Sequence, residues 1–139
     1  MGLNNYVKKN QKALSTTAIV GASGTTVALT ALSLLAEGVE SGTLSANITC
    51  TAATASITYT LKWQVSDDNS TWVDCITMNS AANVTLTTGT ASAVSRCVDA
   101  PSCVYGKPYA RLALVTGAQT AGAGDQYAGS YNYRVSDRY

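Results

Sequence analysis

Apolar and polar positions alternate strictly along residues 56–66 of the chain. The apolar members of this pattern are Ile57, Tyr59, Leu61, Trp63 and Val65. A period of two places all of these side chains on one face of a β-strand, with Lys62 and Gln64 on the other. The residues Asp67-Asp68-Asn69-Ser70 favour a chain reversal, after which Trp72 begins a returning strand. The pattern predicts an antiparallel hairpin with one buried and one solvated face.

Short strand patterns with turn residues between them recur along most of the chain. They cover Thr25–Leu32, Leu44–Thr51, Ile57–Ser66, Trp72–Thr77, Val84–Thr87, Ser92–Val98, Tyr109–Thr116 and Tyr127–Val135. Only residues 29–36 suggest a short helix. This spacing is typical of an all-β fold, and we expect an antiparallel β-sandwich, Ig-like or jelly-roll-like.

The N-terminal segment is basic at its start and then uncharged. Lys8, Lys9 and Lys12 are followed by residues 13–36, which carry no charge. Ser, Thr and Gly interrupt this stretch, so it is a poor membrane span, and it lacks the A-x-A cleavage site of a signal peptide. We therefore predict an extended arm over residues 1–24 that contacts other chains, and a single domain over residues 25–139. Removal of the segment as a signal peptide is the alternative.

The amino-acid composition limits which classes of function the chain can have. Charged residues make up 12% of the chain and the net charge is +1, so neither nucleic acid nor an anionic membrane is an expected partner. Histidine is absent, and glutamate occurs only at Glu37 and Glu40. Without these residues a nucleophile–base set or a metal site is hard to build, so we expect no enzyme, cofactor or metal.

The four cysteines leave several pairings open. Their spacing does not match the paired C-x-x-C knuckles of a zinc site. Cys97 and Cys103 have five residues between them and would close a small loop as a disulfide. Cys50 and Cys75 both lie in predicted strands and would meet across a sheet. Four buried thiols are the remaining alternative.

The candidate contact residues lie at the two ends of the chain. Tyr127, Tyr131 and Tyr133 share one face of the last predicted strand, where they suit a protein interface, a sugar site or the domain's own core. Lys8, Lys9 and Lys12 would dock on an acidic partner or stay solvated. Residues 117–124 form a hairpin tip of small side chains that we expect at the same interface.

Two segments resemble known proteins. Residues 58–74, TYTLKWQVSDDNSTWVD, resemble a hairpin of Ig-like modules in bacterial surface proteins and phage virion proteins. Residues 108–125 and 126–139 are similar to the closing hairpin of decoration (cement) proteins of tailed-phage capsids. The second resemblance implies a non-enzymatic subunit, usually a homotrimer, that clamps the major capsid protein from outside the virion.

The sequence therefore leads us to expect a capsid decoration protein that stabilises a phage head through many weak contacts. A phage tail or fibre component is the alternative within the virion. An Ig-like adhesion or carbohydrate-binding module of a secreted or surface protein is the alternative outside it.

Overall fold

The computed structural model describes residues 7–13, 17–18, 26–53, 56–75, 84–88, 92–116 and 125–136. These residues form short strands, one helical turn and one 3₁₀ turn. In chain order they are β1 (Val7–Ala13), β2 (Thr17–Ala18), β3 (Thr26–Ala28), β4 (Leu32–Ser33), α1 (Leu34–Glu37), β5 (Ser45–Thr51), β6 (Thr58–Ser66), β7 (Val73–Asp74), β8 (Val84–Thr87), β9 (Ala93–Asp99), the 3₁₀ turn Ser102–Gly106, β10 (Tyr109–Thr116) and β11 (Gln126–Ser136).

The strands form two antiparallel sheets. The first has the order β1-β11-β5-β9, with β2 also beside β11. The second has the order β3-β10-β6-β7, with β4 also beside β10 and β8 beside β6. Their facing sides hold one cluster of buried apolar residues. The predicted all-β sandwich is thus confirmed, while the choice between Ig-like and jelly-roll-like topology stays a prediction.

The alternating apolar residues of β6, together with Ile57 just before the strand, make up the centre of this core. Ile57, Tyr59, Leu61, Trp63 and Val65 are each at most 7% exposed, as predicted. The Trp63 ring lies 6.0 Å from that of Tyr131, which joins the two sheets. Gln64 is on the opposite face but is also buried, contrary to prediction, because neighbouring strands place polar side chains over it.

The observed strand bounds differ most from the predicted ones where the strands are short. The predicted strand over residues 25–32 is divided into β3 and β4, and the returning strand of the hairpin spans only Val73–Asp74. The predicted helix begins later, at Leu34, where Ser33 Oγ accepts a hydrogen bond from Ala36 N. It ends at Glu37 and is followed by Gly38, whose φ of +67° is the left-handed conformation that glycine adopts without strain.

Part of the predicted arm lies in the first sheet. β1 pairs with β11 over its whole length, from Val7 opposite Ser136 to Ala13 opposite Ser130, and β2 pairs with residues 126–127. These residues therefore contact the body of the chain in this structure. The division between arm and domain at residue 24 stays a prediction.

The disulfide joins a pair that the sequence did not suggest. Cys103 is bonded to Cys75, which corrects the proposed Cys97–Cys103 bridge. Cys97 is exposed on β9, whereas Cys103 lies in the 3₁₀ turn and packs against the core. Cys75 follows β7 and donates its N–H to Trp63 O, which places it beside the core as well. Cys50 is a buried free thiol, so the alternative Cys50–Cys75 bridge does not form either.

Candidate interaction surfaces

The three tyrosines predicted at an interface face the interior instead. Tyr127, Tyr131 and Tyr133 are 6%, 0% and 3% exposed. Their hydroxyls donate to the carbonyl oxygens of Ala28 (3.3 Å) and Thr30 (2.7 Å) and to the Glu37 carboxylate (2.8 Å), respectively. The reason is that their face of β11 packs on the opposite sheet and only the hydroxyls reach polar groups at its rim. These side chains are core residues, which corrects the interface prediction and leaves no open ring face for a sugar.

The other candidate contact residues are only partly located. The register sets Lys8 opposite Val135, Lys9 opposite Arg134 and Lys12 opposite Tyr131. Their role at an interface stays a prediction. Residues 117–124, predicted as a hairpin tip, lie outside the described residues.

The outward side of the first sheet is a surface of neutral polar residues that sequence reasoning missed. Its positions alternate with buried ones such as Ala46, Ile48, Val98 and Tyr131. We call this surface the neutral face, and its members are Ser45, Asn47, Thr49, Thr51, Ala93, Ser95, Cys97, Gln126, Ala128, Ser130 and Asn132. Charged neighbours on this side, Asp99 and Arg134, lie toward one end of their strands. The alternation in β5 was visible in the sequence, but the pairing that joins β5 with β9 and β11 into one surface was not.

The neutral face is suited to contact with protein. Most of its side chains end in a hydroxyl or amide, and one pair of neighbours, Thr49 Oγ1 and Ser95 Oγ, is hydrogen-bonded at 2.7 Å. Covering such a surface requires no removal of water from a full charge, which is the costly step in burying ions. The cores of protein interfaces are depleted of charged residues in the same way.

The outward side of the second sheet carries a linked set of polar side chains instead. Asp74 accepts hydrogen bonds from Lys62 Nζ and Gln64 Nε2, both at 2.9 Å. Arg111 Nε donates to Gln64 Oε1 at 2.9 Å, and its guanidinium carbon lies 4.3 Å from the centre of the Trp72 ring. This polar network crosses β10, β6 and β7, so it stabilises their pairing. Because its members are hydrogen-bonded to one another, fewer of their polar groups are available to bind a ligand.

The polar network predicts an acid-sensitive contribution to stability. The hydrogen bond from Gln64, and then that from Lys62, lower the pKa of Asp74. A carboxylate whose pKa is lower in the folded than in the unfolded chain stabilises the fold above the unfolded pKa, near 4, and loses this effect on acidification. We expect Asp74→Asn to lower stability at pH 7 and to reduce the loss of stability between pH 7 and pH 3.

Urea denaturation midpoints at the two pH values measure this effect. The control is Asp67→Asn. The Asp67 carboxylate is 76% exposed and lies outside the polar network, with Lys107 Nζ 3.3 Å away as its ion-pair partner. This variant removes the same charge from the surface and leaves the hydrogen bonds of Asp74 to Lys62 and Gln64 in place. Equal pH dependence in the Asp74 variant and the unchanged chain would contradict the prediction. Asp68 adds a second acid-sensitive group, because backbone N–H groups of Thr71 and Ser70 lower its pKa.

A small apolar patch lies at one end of the sandwich. Leu35 is 84% exposed and lines a shallow concavity of about 300 Å³ with Val39, Tyr105 and Pro108. Val73, 60% exposed, lines a neighbouring one of about 220 Å³, and Lys107 borders both. Leu35 is thus an exposed apolar residue that does not belong to the neutral face.

In the part of the chain that the structure describes, no helix is long and apolar enough to cross a membrane. Among the same residues, no group of three or more Cys, Asp or Glu side chains is placed to hold a metal ion.

Comparisons with known proteins give only distant structural likeness. No family model and no curated protein matches the chain. A solved structure from Bacillus endospore appendages, described as a novel family of disulfide-linked pili, is 14% identical with a TM-score of 0.49 and covers 98% of this chain and 96% of that one. The PBSX exported protein XepA is 13% identical with a TM-score of 0.44 and covers 94% of this chain and 38% of that one.

A third similar structure is that of the Desmodium yellow mottle tymovirus, at 11% identity and a TM-score of 0.37, covering 100% of this chain and 94% of that one. Likeness at this level assigns no function to the chain.

Proposed function

We propose that this chain is a non-enzymatic structural protein of a virion, a decoration subunit that binds the outside of a phage capsid. The observation that carries the proposal is the neutral face, which spans β11, β5 and β9 and whose members carry no charge. A surface of this kind suits contact with protein neighbours, whereas the residues needed for acid–base chemistry are scarce in the chain. The sequence resemblance to capsid decoration proteins supplies the particular role.

In this proposal each subunit contributes modest contacts that are repeated over a lattice. Hydrogen bonds between neutral groups are individually weak, since each replaces a bond to water. A homotrimer engaging several copies of the major capsid protein at once converts weak contacts into strong overall binding. The Cys75–Cys103 disulfide suits a place on the capsid exterior, because disulfides persist where the surroundings are oxidising.

A charge placed in the neutral face tests the proposal. Asn47 is exposed on β5 near the middle of this surface, so Asn47→Lys would force an unpaired charge into any interface there. We expect at least about a tenfold loss of affinity for capsids purified without the chain, from 1.4 kcal/mol or more of lost binding energy. Cosedimentation with these capsids at increasing protein concentration gives both affinity and saturating stoichiometry.

The matched control is Thr85→Lys, on the exposed outward side of β8 in the other sheet. It adds the same charge and should bind capsids like the unchanged chain. Equal binding by both variants would show that the neutral face is not the contact surface. No saturable binding by the unchanged chain would overturn the capsid role itself.

The alternatives make different predictions in the same experiments. A tail or fibre component would bind tail structures and not heads. An adhesion or carbohydrate-binding module would bind glycans without affinity for any capsid. Trp72 is the described aromatic residue to examine in that case, because it lies beside Arg111 on the outer side of the second sheet. Glycan binding that is lost in Trp72→Ala would favour that module.

A further inference from the structure

The position of β1 is unusual among the strands of the first sheet. It is the first element of the described chain and pairs with β11 along seven residues, while β5 occupies the other side of β11. Residues 14–25, which include β2, connect it to β3 in the opposite sheet. This single segment therefore joins β1 to the remaining strands of the sandwich.

The rest of the sandwich is paired without β1. Within the described residues, β11 pairs with β5, β5 with β9, and β10 with both β3 and β6, and none of these ladders uses residues 7–13. β2 pairs with residues 126–127 of β11 and is separated from β1 only by residues 14–16, so another molecule would supply β1 and β2 together, without breaking any further strand pairing. Domain swapping of this kind needs no new contacts, because the exchanged element makes the same ones in a second copy.

The edge of β11 nevertheless requires a strand. β11 is eleven residues long, and residues 130–136 on this edge include the buried Tyr131 and Tyr133. A bare edge of this length, with unpaired N–H and C=O groups beside apolar side chains, is a template for association. The sequence that fits this edge in a matched register is that of β1 itself.

We propose that in the assembled protein the edge of β11 is occupied by β1 of a neighbouring copy of this chain, in the register Val7–Ser136 to Ala13–Ser130. The high local concentration of subunits in an assembly lets this exchange compete with pairing within one chain. β1 also contains three lysines, a residue that natural edge strands use against further strand addition, so the exchange ends with one strand per edge. This inference requires the proposed self-association of the chain but not its binding to capsids.

The backbone geometry identifies a residue pair for testing the exchange. Arg134 N–H donates to Thr43 Oγ1 at 3.0 Å, and Arg134 C=O accepts from Glu40 N at 2.8 Å. Both groups therefore point away from β1, so Lys9 and Arg134 are a non-hydrogen-bonded pair. The Cα atoms of such antiparallel pairs are about 4.5 Å apart, which lies in the range that a disulfide requires.

The experiment uses Lys9→Cys and Arg134→Cys in separate full-length chains, one of them isotope-labelled and both carrying Cys97→Ser. The chains are mixed unfolded with the Cys75–Cys103 bond intact, refolded together, assembled and oxidised. Exchange predicts a disulfide-linked heterodimer of the two chains, identified by mass spectrometry. We expect about tenfold less heterodimer from Lys12→Cys mixed with Arg134→Cys, because Lys12 lies opposite Tyr131 instead.

A single chain carrying both Lys9→Cys and Arg134→Cys gives the opposite readout. With exchange it oxidises to covalent oligomers, and without exchange it oxidises to a monomer with an internal bond. The monomer, together with no heterodimer from the mixed single variants, would overturn the inference. If these variants fold poorly, Gln11→Cys with Asn132→Cys, two residues along the same ladder, is the second pair. Heterodimer formation by a chain that does not bind capsids would support exchange while contradicting the capsid role.

Discussion

Replacing Trp63 with Ala is expected to lower the free energy of unfolding by about 3–5 kcal/mol. Trp63 is 1% exposed in the middle of β6, and its ring lies 6.0 Å from that of Tyr131 in the opposite sheet. The loss of its indole removes a large apolar surface from the core and leaves a cavity between the sheets, which closes only in part because both sheets are held by their ladders. Urea denaturation followed by circular dichroism measures the change.

Two variants separate this effect from a general effect of losing an indole. Trp72 is the other tryptophan, half-buried on the outer side of the second sheet under Arg111, and Trp72→Ala should cost clearly less than Trp63→Ala. Trp63→Phe should also cost less, because it keeps an aromatic ring and removes an indole N–H that has no hydrogen-bond partner within the described structure. Similar losses in Trp63→Ala and Trp72→Ala would mean that Trp63 is not the centre of the core.

The sequence predicted the fold class because one strand shows its environment unambiguously. Every second residue from Ile57 to Val65 is apolar, and only a strand with one face on a core accounts for that pattern. The same reasoning was wrong for Gln64, since a polar residue on the outer face is exposed only if its neighbours leave it so. Here Asp74 and Arg111 lie within hydrogen-bonding distance and cover it. Their contribution depends on strand order, which a period of two does not determine.

The contact surface was predicted less well, for a related reason. Tyrosine suits interfaces and cores equally, because it combines a large ring with one polar atom. What decides between them is whether a hydrogen-bond partner lies at the rim of the core, and for Tyr131 that partner is Thr30 O, about a hundred residues earlier in the chain. The neutral face was missed because its residues carry no local signal of an interface. Its serines and threonines are ordinary solvated residues until strand pairing brings β5, β9 and β11 side by side.

The cysteines show a limit of reasoning from spacing. Cys97 and Cys103 are close in sequence, but strand β9 directs Cys97 to the outer side of the first sheet, where it is exposed. Cys75 is 28 residues from Cys103, yet β7 and the 3₁₀ turn bring the two together. Proximity in space follows from the order of strands in the second sheet, and neither residue carries a local signal of it.

Removing the Cys75–Cys103 bond is expected to destabilise the protein by about 3–4 kcal/mol, the effect on the unfolded chain of opening a loop of this length. The bond closes the segment that contains β8 and β9, so the unfolded chain gains most of its freedom there when the bond is absent. The variant is Cys75→Ala with Cys103→Ala, and denaturation of the unchanged chain in reductant should give a similar loss.

Cys97→Ser is the control for this prediction, because Cys97 is a free, exposed thiol and its replacement should change stability little. A thiol count in denaturant, without reductant, gives an independent answer. The oxidised chain should show two reactive thiols, those of Cys50 and Cys97. Four reactive thiols, with stability unchanged by reductant, would mean that the cysteines are unpaired and that the packing of β7 against the 3₁₀ turn is maintained without a covalent bond.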